Sequence, residues 1–355
     1  MGSMSKPSRR SRGTLTIEDV ARAAGVSAMT VSRVINKERN VREETRLSVL
    51  ETIERLNYSP NTAARNLAAG EAMHIGLLYS NPSAAYLSQF LVGALDAARA
   101  AGVHLVIEPC ESEDEAEQCD VARSFAQADA KGVILPPPLS ESVPILSELA
   151  LSKTPVVTVA MGKLYPNALN VRIDDFGAAK EMTDYLIGLG HRRIGLITGH
   201  PQHIATLERE RGFLAAIEQA GLKPKDMPIE QGYFTFRSGL DAAERLLKRR
   251  NAPTAIFASN DDMAAAVISV AHRRGLHVPR DLTVVGFDDT APATTVWPEL
   301  TTIRQPVSEM AAAALELLLA DLRHRRRGAG GLSQEAVLKH ELIIRKSSGP
   351  PPPAS

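Results

Sequence analysis

TIEDVARAAGVSAMTVSRVIN, residues 16–36, reads as two short helices separated by a tight turn at Gly25 and Val26. Thr16 is placed to accept a hydrogen bond from the amide of Asp19, and Asp19 falls at the third helical position, where a carboxylate favours the positive helix end. The first helix therefore begins at Ile17. Val20, Ala21 and Ala24 recur along it at helical spacing, Gly25 suits a left-handed C-terminal cap, and Ser27 is a second N-cap opening a helix through Asn36. Val31 and Val34 of this second helix face inward. Ala28, Met29, Ser32 and Arg33 are left near its exposed N-terminal half, the part that a helix-turn-helix presents to base edges in the major groove. A third helix over 42–56, with Leu47, Leu50, Ile53 and Leu56 as its apolar stripe, closes a three-helix unit. An ordinary helical hairpin with a solvated face has the same periodicity.

The next stretch, NYSPNTAARNLAAG at 57–70, narrows the choice. Ser59 before Pro60 places an N-cap ahead of a proline at the first helical position, so a helix of about two turns starts here. Such a helix is too short to be stable alone in water and forms only when held, which suits a linker that orders where two protomers meet DNA. Leu67 on this segment is a side chain of the kind that wedges between base steps in the minor groove. A plain interdomain linker is the alternative.

Beyond Ala72 the pattern alternates strand and helix. HIGLLYS, HLVIEPC, GVILPPP and PVVTVAM are short apolar runs between helical stretches, and after NVRID the alternation resumes with RIGLITG, PIEQG, AIFASN and LTVVGFDD. Two successive parallel α/β units follow, and ligands of such sheets bind outside the carboxyl ends of the strands. Segments ending in Ser80, Gly199, Gly232, Asn260 and Asp288 deliver loops to a cleft between the units.

With these motifs and VRIDD, LGHRRIGLITG, ASNDDMAAA, VVGFDDT and LTTIRQP in order over about 16–345, the chain resembles the lactose-repressor (LacI) family of transcription regulators. The resemblance implies an all-α helix-turn-helix headpiece (14–58), a hinge helix (59–72) and a periplasmic-binding-protein-like α/β core (73–345) of two doubly wound parallel-sheet subdomains. The core subdomains are 73–172 with 304–330 and 173–303 with 331–345, with crossovers near 172, 304 and 330. Tails at 1–13 and 346–355 are expected to be disordered, and the first four residues to be a cloning remnant. By the same resemblance Thr16, Ser27, Ala28, Met29, Thr30, Ser32, Arg33 and Asn36 match base and phosphate contacts, and Tyr58, Asn61, Arg65 and Leu67 match hinge contacts. Ala28 and Met29 hold the positions most used to choose operator sequence. Neither makes the bidentate bonds that read G or A, so apolar contact with thymine methyls replaces them, while Arg33 keeps a guanine contact. The expected operator is approximately palindromic, with a flexible central pyrimidine–purine step for Leu67 to open.

In the cleft, Arg209, Asn260, Asp261, Asp288, Asp289 and Gln305 lie at strand ends or first helical turns, where polar groups suit a sugar or nucleobase. Asp261 reads as a cap, Asn260 as a ligand contact and Asp289 as a turn or cap residue. The resemblance places Arg209, Asn260, Asp288 and Gln305 on effector positions, Phe234 on the stacking position and Tyr86 on a further pocket position. Two departures stand out against many relatives: Ala160 where an Asp is common, and Tyr233 where an acidic residue often precedes the stacking aromatic. A less acidic, more aromatic site favours a disaccharide or glycoside over a purine or phosphorylated sugar. Trp297 reads as packing rather than as part of the cleft mouth.

Composition agrees. The 355 residues carry a formal net charge of +0, but residues 1–70 hold 12 Lys and Arg against 7 Asp and Glu, and the remainder 29 against 34. A basic headpiece on an acidic body suits phosphate binding at one end. Cys110 and Cys119, without other ligands at metal spacing, are expected to be free thiols, and neither metal nor cofactor is implied. With no signal peptide or apolar run of membrane length, a cytoplasmic protein without a membrane partner is expected. No GxxxxGK[ST], GxGxxG, HExxH or GxSxG motif suggests an enzyme, and His191 and His200 read as loop hydrogen-bonders. A solute-binding protein and a ligand-free DNA binder are the competing classes; the first predicts a secretory signal and no headpiece. Two headpieces on a two-fold axis read two half-sites, so a homodimer is expected. The helix at 307–325, with Met310, Ala314, Leu317 and Leu318, covers the sheet or the partner; Arg323–Arg327 is a solvated helix end, and SSGPPPPAS cannot form a tetramerising leucine heptad.

Overall fold

The computed structural model describes residues 16–35, 41–56, 73–112, 114–128, 130–160, 162, 169–328 and 330–353, in two units, Met1–Gly70 and Glu71–Ser355. Asn36, Tyr58, Asn61, Arg65 and Leu67, the hinge helix expected over 59–72 and the tail expected over 1–13 lie outside the described residues.

The first unit holds α1 (Ile17–Ala24), α2 (Ala28–Ile35) and α3 (Glu43–Arg55). Thr16 and Asp19 form a reciprocal capping box: Thr16 Oγ1 accepts from the Asp19 amide at 3.3 Å and the Asp19 carboxylate accepts from the Thr16 amide at 3.0 Å. Gly25 ends α1 at φ 67°, a left-handed conformation glycine adopts without a Cβ penalty. Ser27 Oγ accepts from the Thr30 amide at 3.1 Å and starts α2. Val20, Ala21, Val31, Val34 and Val49 make the small core.

The α3 stripe differs from the expected one. Leu47 is 60% exposed and Leu50 46%, whereas Val49 and Thr52 are buried and Ile53 and Leu56 pack against the core. A strict three-residue spacing drifts by about 60° per step around a helix of 3.6 residues per turn, so residues 47, 50, 53 and 56 spread over half the circumference. The set 49, 52, 53 and 56 stays within about 100°.

The second unit opens with β1 (His74–Tyr79), α4 (Ala84–Ala101), β2 (His104–Pro109), α5 (Glu115–Gln127), β3 (Val133–Leu135), α6 (Val143–Leu151), β4 (Val156–Val159) and β5 (Leu169–Arg172). It continues with α7 (Asp175–Gly188), β6 (Ile194–Thr198), α8 (Ile204–Gln219), β7 (Ile229–Gln231), α9 (Phe236–Leu247), β8 (Ala255–Ala258), α10 (Asp261–Arg273), β9 (Thr283–Asp288), α11 (Ala291–Thr295) and β10 (Thr301–Arg304). Last come α12 (Val307–Arg326), β11 (Glu335–Val337) and β12 (Glu341–Ile343). The first sheet runs β11-β5-β4-β3-β1-β2 and the second β12-β10-β9-β8-β6-β7; every pairing is parallel except β10 with β12. The inner strands are apolar and buried because helices cover both faces, whereas the edge strands β2, β7, β11 and β12 are partly exposed. Met310, Ala314 and Leu318 of α12 are buried where that helix packs on α4 and the first sheet.

Two boundaries are corrected. Glu335, Ala336 and Val337 pair with Asn170, Val171 and Arg172 at the edge of the first sheet, and Arg172 Nε donates to Glu335 Oε1 at 2.9 Å. The third crossover therefore falls between Val337 and Glu341 rather than near 330: the glycine-containing turn after α12 returns the chain to the unpaired edge of β5. The segment 346–353 is ordered rather than disordered. Ser347 is fully buried, its Oγ donates to Val284 O at 2.6 Å and accepts from the Thr301 amide at 2.8 Å, and its carbonyl takes the Val284 amide at 3.0 Å. Gly349 O meets His191 Nε2 at 2.9 Å. A proline-rich tail has few backbone donors of its own, but here its carbonyls and hydroxyls pair with the amino-terminal ends of β9 and β10, two interior strands of the second sheet.

No helix among the described residues is long and apolar enough to cross a membrane. Cys110 and Cys119 are free thiols.

Ser347→Ala leaves the Thr301 amide and the Val284 carbonyl short of a partner. It is expected to lower unfolding free energy by about 1–3 kcal/mol in urea titrations at fixed protein concentration; an unchanged midpoint is the outcome for a detached tail.

Candidate functional site

The headpiece presents two capped helix starts. Thr16 and Ser27, at the N-termini of α1 and α2, are exposed, and the positive ends of both helices are suited to phosphate oxygens. Met29 is 64% exposed and Arg33 is exposed, while Ala28, Thr30 and Ser32 are half-buried on the same short helix. Thr30 Oγ1 lies 2.9 Å from Ser27 Oγ, so its hydroxyl belongs to the cap. An exposed, unbranched methionine at the start of α2 supplies apolar contact and no hydrogen-bond fork.

In the second unit, loops from the carboxyl ends of both sheets line a pocket that opens to solvent, with about 540 Å³ of non-atom space when the open solvent at its mouth is included. The expected residues Tyr86, Arg209, Phe234, Asn260, Asp288 and Gln305 all line it. Arg209 is the centre of their network. Its Nε donates to Asp175 Oδ1 at 2.8 Å, its Nη1 donates to Ser259 O at 2.6 Å and lies 4.0 Å from Asp288 Oδ1, and its guanidinium carbon sits 3.6 Å over the Phe287 ring. Gln305 Nε2 donates to the same Asp288 oxygen at 2.6 Å. Burial pushes the Asp288 carboxyl up to about 7 against the pull of Arg209 and Gln305, and burial likewise raises Asp175.

Tyr86, on the first turn of α4, is buried with its hydroxyl unpartnered, and burial pushes that phenol up from its ordinary range. Phe234 sits at φ 60° with its ring against Gly199, where any Cβ would overlap it, so the glycine at the end of β6 makes room for the stacking face.

The roles of the paired polar residues are redistributed. Asn260 is the N-cap of α10: its Oδ1 accepts from the Met263 amide at 3.0 Å, and its Nδ2 donates to Phe234 O at 2.9 Å. It lines the cavity while holding the stacking residue in place. Asp261 is not the cap; fully buried, it accepts from the Thr290 amide at 2.8 Å and from Thr302 Oγ1 at 2.7 Å, tying β10 to the loop after β9. A helix start has room for one capping side chain, and the residue with extended backbone takes it. Asp289 is more than a turn residue, since it pairs with Arg304 at 2.8 Å and Arg345 at 2.6 Å.

The cavity is also more acidic than Ala160 and Tyr233 suggest. Ala160 lines it, but Tyr233 points to the mouth, and Glu141, which sequence reading missed, supplies a carboxylate from the first sheet's side. Glu141 accepts from the Ile204 amide at 3.1 Å, capping α8 of the opposite half, and burial pushes it up to about 7. Ser83 Oγ donates to Asp262 Oδ2 at 2.5 Å and Gln89 Nε2 to Asp289 O at 3.3 Å, two more bonds across the cleft. The one local signal is Ser83, legible as the N-cap of α4; Glu141 lies on a single 3₁₀ turn with no periodicity to reveal its direction. His191 pairs with Thr254 and Gly349, and His200 accepts from the Gln202 amide, as expected of loop hydrogen-bonders. Among the described residues no group of three or more His, Cys, Asp or Glu side chains is placed to hold a metal ion.

Residues 16–61 match the profile of the lacI family of bacterial regulatory proteins, and residues 183–348 that of a periplasmic binding protein-like domain. The chain is 36% identical over 307 residues to catabolite control protein A of Priestia megaterium, covering 86% of this chain and 91% of that one. Among solved structures it is similar to a transcriptional regulator CelR–cellobiose complex, with TM-score 0.71, 29% identity and coverage of 94% of this chain and 99% of that one. It is also similar to a lac repressor dimer bound to operator and the anti-inducer ONPF, with TM-score 0.69, 26% identity and coverage of 95% and 100%. Such relatives are transcriptional regulators rather than enzymes.

Asp288 titrates near 7 in the folded chain against an ordinary value of 3.8. Between these the folded state holds a proton that the unfolded state has lost, so this group's contribution to stability is complete in acid and is lost as pH rises through about 7. Asp288→Asn removes that titration. In thermal denaturation of the ligand-free protein, the difference between variant and wild type is expected to move in the variant's favour from pH 5 to pH 8, by at least about 1 kcal/mol.

Proposed function

We propose that this chain, which belongs to the LacI family of bacterial regulatory proteins, is a cytoplasmic repressor of carbohydrate-utilisation genes that binds an approximately palindromic operator as a homodimer and responds to a saccharide or glycoside in its cleft. The carrying observation is the cavity itself. A ring of fixed acceptors and donors, Asp288, Gln305 and Arg209, faces the aromatic surface of Phe234 and the unpartnered hydroxyl of Tyr86. Hydroxyl-rich rings with an apolar face need that combination. Two lining carboxyls, Glu141 and Asp288, beside the Asp175-paired Arg209 disfavour a phosphorylated ligand. The cellobiose of the similar CelR complex supports a saccharide, and the operator-bound dimer of the lac repressor supports the assembly.

On this reading Thr16, Ser27, Thr30, Ser32 and Asn36 position the headpiece on phosphates and bases, Ala28 and Met29 read thymine methyls and Arg33 reads a guanine. Tyr58, Asn61 and Arg65 anchor the hinge, and Leu67 opens a central pyrimidine–purine step. Effector shifts the two halves of the core between arrangements, and these differ in how well they hold the paired hinges on DNA.

Two substitutions test the two ends. Tyr86→Phe removes a hydroxyl that has no partner without ligand, so ligand-free stability should hold or rise while calorimetry shows roughly tenfold weaker saccharide binding, the loss of one buried hydrogen bond at about 1–1.5 kcal/mol. Equal affinities would remove Tyr86 from the site. Arg33→Ala should weaken operator binding by about 1–3 kcal/mol in fluorescence anisotropy and relax the preference at one symmetric base pair; a uniform loss across sequences would make Arg33 a phosphate contact.

A further inference from the structure

We infer that the cleft mouth holds a second sugar subsite, built on Tyr233 and His200, so that the effector is a saccharide of at least two rings whose outer ring stays in the mouth. The inference rests on the saccharide reading above and extends it to a part of the protein outside the inner cavity.

The inner cavity opens through Glu141, His203, Asn81, Pro82 and Pro138, residues that line it and also line an outer chamber of about 2070 Å³ open to solvent. Four aromatic rings form a continuous ladder between the two. Phe234 and His203 are stacked at 5.9 Å and 12°, His203 and His200 lie 4.6 Å apart, and His200 meets Tyr233 edge-on at 5.6 Å. Burial pushes His203 down to about 4, so the ring that stacks on Phe234 is uncharged at neutral pH.

Tyr233 and Phe234 are consecutive in the chain, yet Phe234 lines the inner cavity and Tyr233 the outer chamber. The left-handed backbone at Phe234 accompanies this divergence, and two bonds hold the turn: the Tyr233 amide to Ser238 Oγ at 2.9 Å and Asn260 Nδ2 to Phe234 O at 2.9 Å. The result is a tyrosine 47% exposed on a backbone that is pinned on both sides. A preorganised aromatic face loses little entropy when a ring stacks on it, and its edge partner, His200, leaves a face available. Glu111 and Gln202 line the same chamber and offer an acceptor and an amide for the hydroxyls of that ring. The inner ring would then lie on Phe234 and the outer ring on Tyr233, with the glycosidic bond passing His203 and Glu141.

The test is calorimetric titration of the full chain with glucose, galactose, mannose and xylose and with their homo- and hetero-disaccharides, repeated on Tyr233→Ala and Tyr233→Phe. At least one disaccharide is expected to bind tenfold or more tightly than either of its monosaccharides. Tyr233→Ala should weaken that disaccharide about tenfold and leave monosaccharides within twofold, and Tyr233→Phe should retain both. Monosaccharides binding as tightly as every disaccharide, or an equal loss on both classes in Tyr233→Ala, would overturn the outer subsite while leaving the inner one standing. Absence of binding by every saccharide would overturn the effector class, and the outer subsite with it.

Discussion

A guanidinium taken almost wholly out of water sets the terms for the rest of the core. Arg209 loses its hydration on burial, and the protein replaces it with the Asp175 carboxylate, the Ser259 carbonyl, the nearby Asp288 and the face of Phe287. The four partners come from three elements: Asp175 from the start of α7, Ser259 from the end of β8, and Phe287 and Asp288 from β9. Removing any of them leaves a charge or dipole unsatisfied in a low-dielectric interior. The carboxyl ends of three segments are thereby held in register, and the cavity wall is rigid before a ligand arrives. Asp175 also follows directly on β5, where the chain first leaves one sheet for the other, so the network is anchored at a crossover that any movement of the two halves must bend.

The opposite wall is joined more lightly. Glu141 on the α8 amide, Ser83 on Asp262 and Gln89 on Asp289 are single bonds across the cleft, each between groups that water can also satisfy when the cleft opens. A ligand that replaces or adds to these bonds shifts the closed arrangement by its differential affinity and no more. Closure therefore has a small intrinsic bias, and a ligand held between the two walls adds only its differential affinity to it. Arg304 and Arg345 on Asp289 and the Asp261 bonds to Thr290 and Thr302 keep the second half a single body while this happens.

The headpiece is governed by different physics. Its apolar core is five small residues deep, so helix caps carry an unusual share of its specification. The Thr16–Asp19 box, the left-handed Gly25 and the Ser27 cap each stabilise by about a kilocalorie per mole or somewhat less, and together they orient two helix N-termini toward solvent. The same groups that end and start the helices thus also set the positive helix ends toward solvent.

Caps, turns and strand periodicity were legible in the residues because they depend on neighbours three or four positions away. Thr16, Gly25, Ser27, all nine apolar strand runs and the six cavity-lining side chains carried their meaning locally or through the family pattern. What the tertiary structure alone decided were the long-range pairings. Leu47 and Leu50 lost their place to Val49 and Thr52 because the core lies where α1 and α2 put it; 335–337 joined the first sheet because β5 had an edge to fill; Ser347 became buried because Val284 and Thr301 needed partners. Glu141 entered the cavity, and Asn260 and Asp261 divided capping from cross-bracing, by the same rule. A sequence determines which groups must be satisfied, but which distant group satisfies a buried donor or an open sheet edge is settled only when the chain has closed on itself.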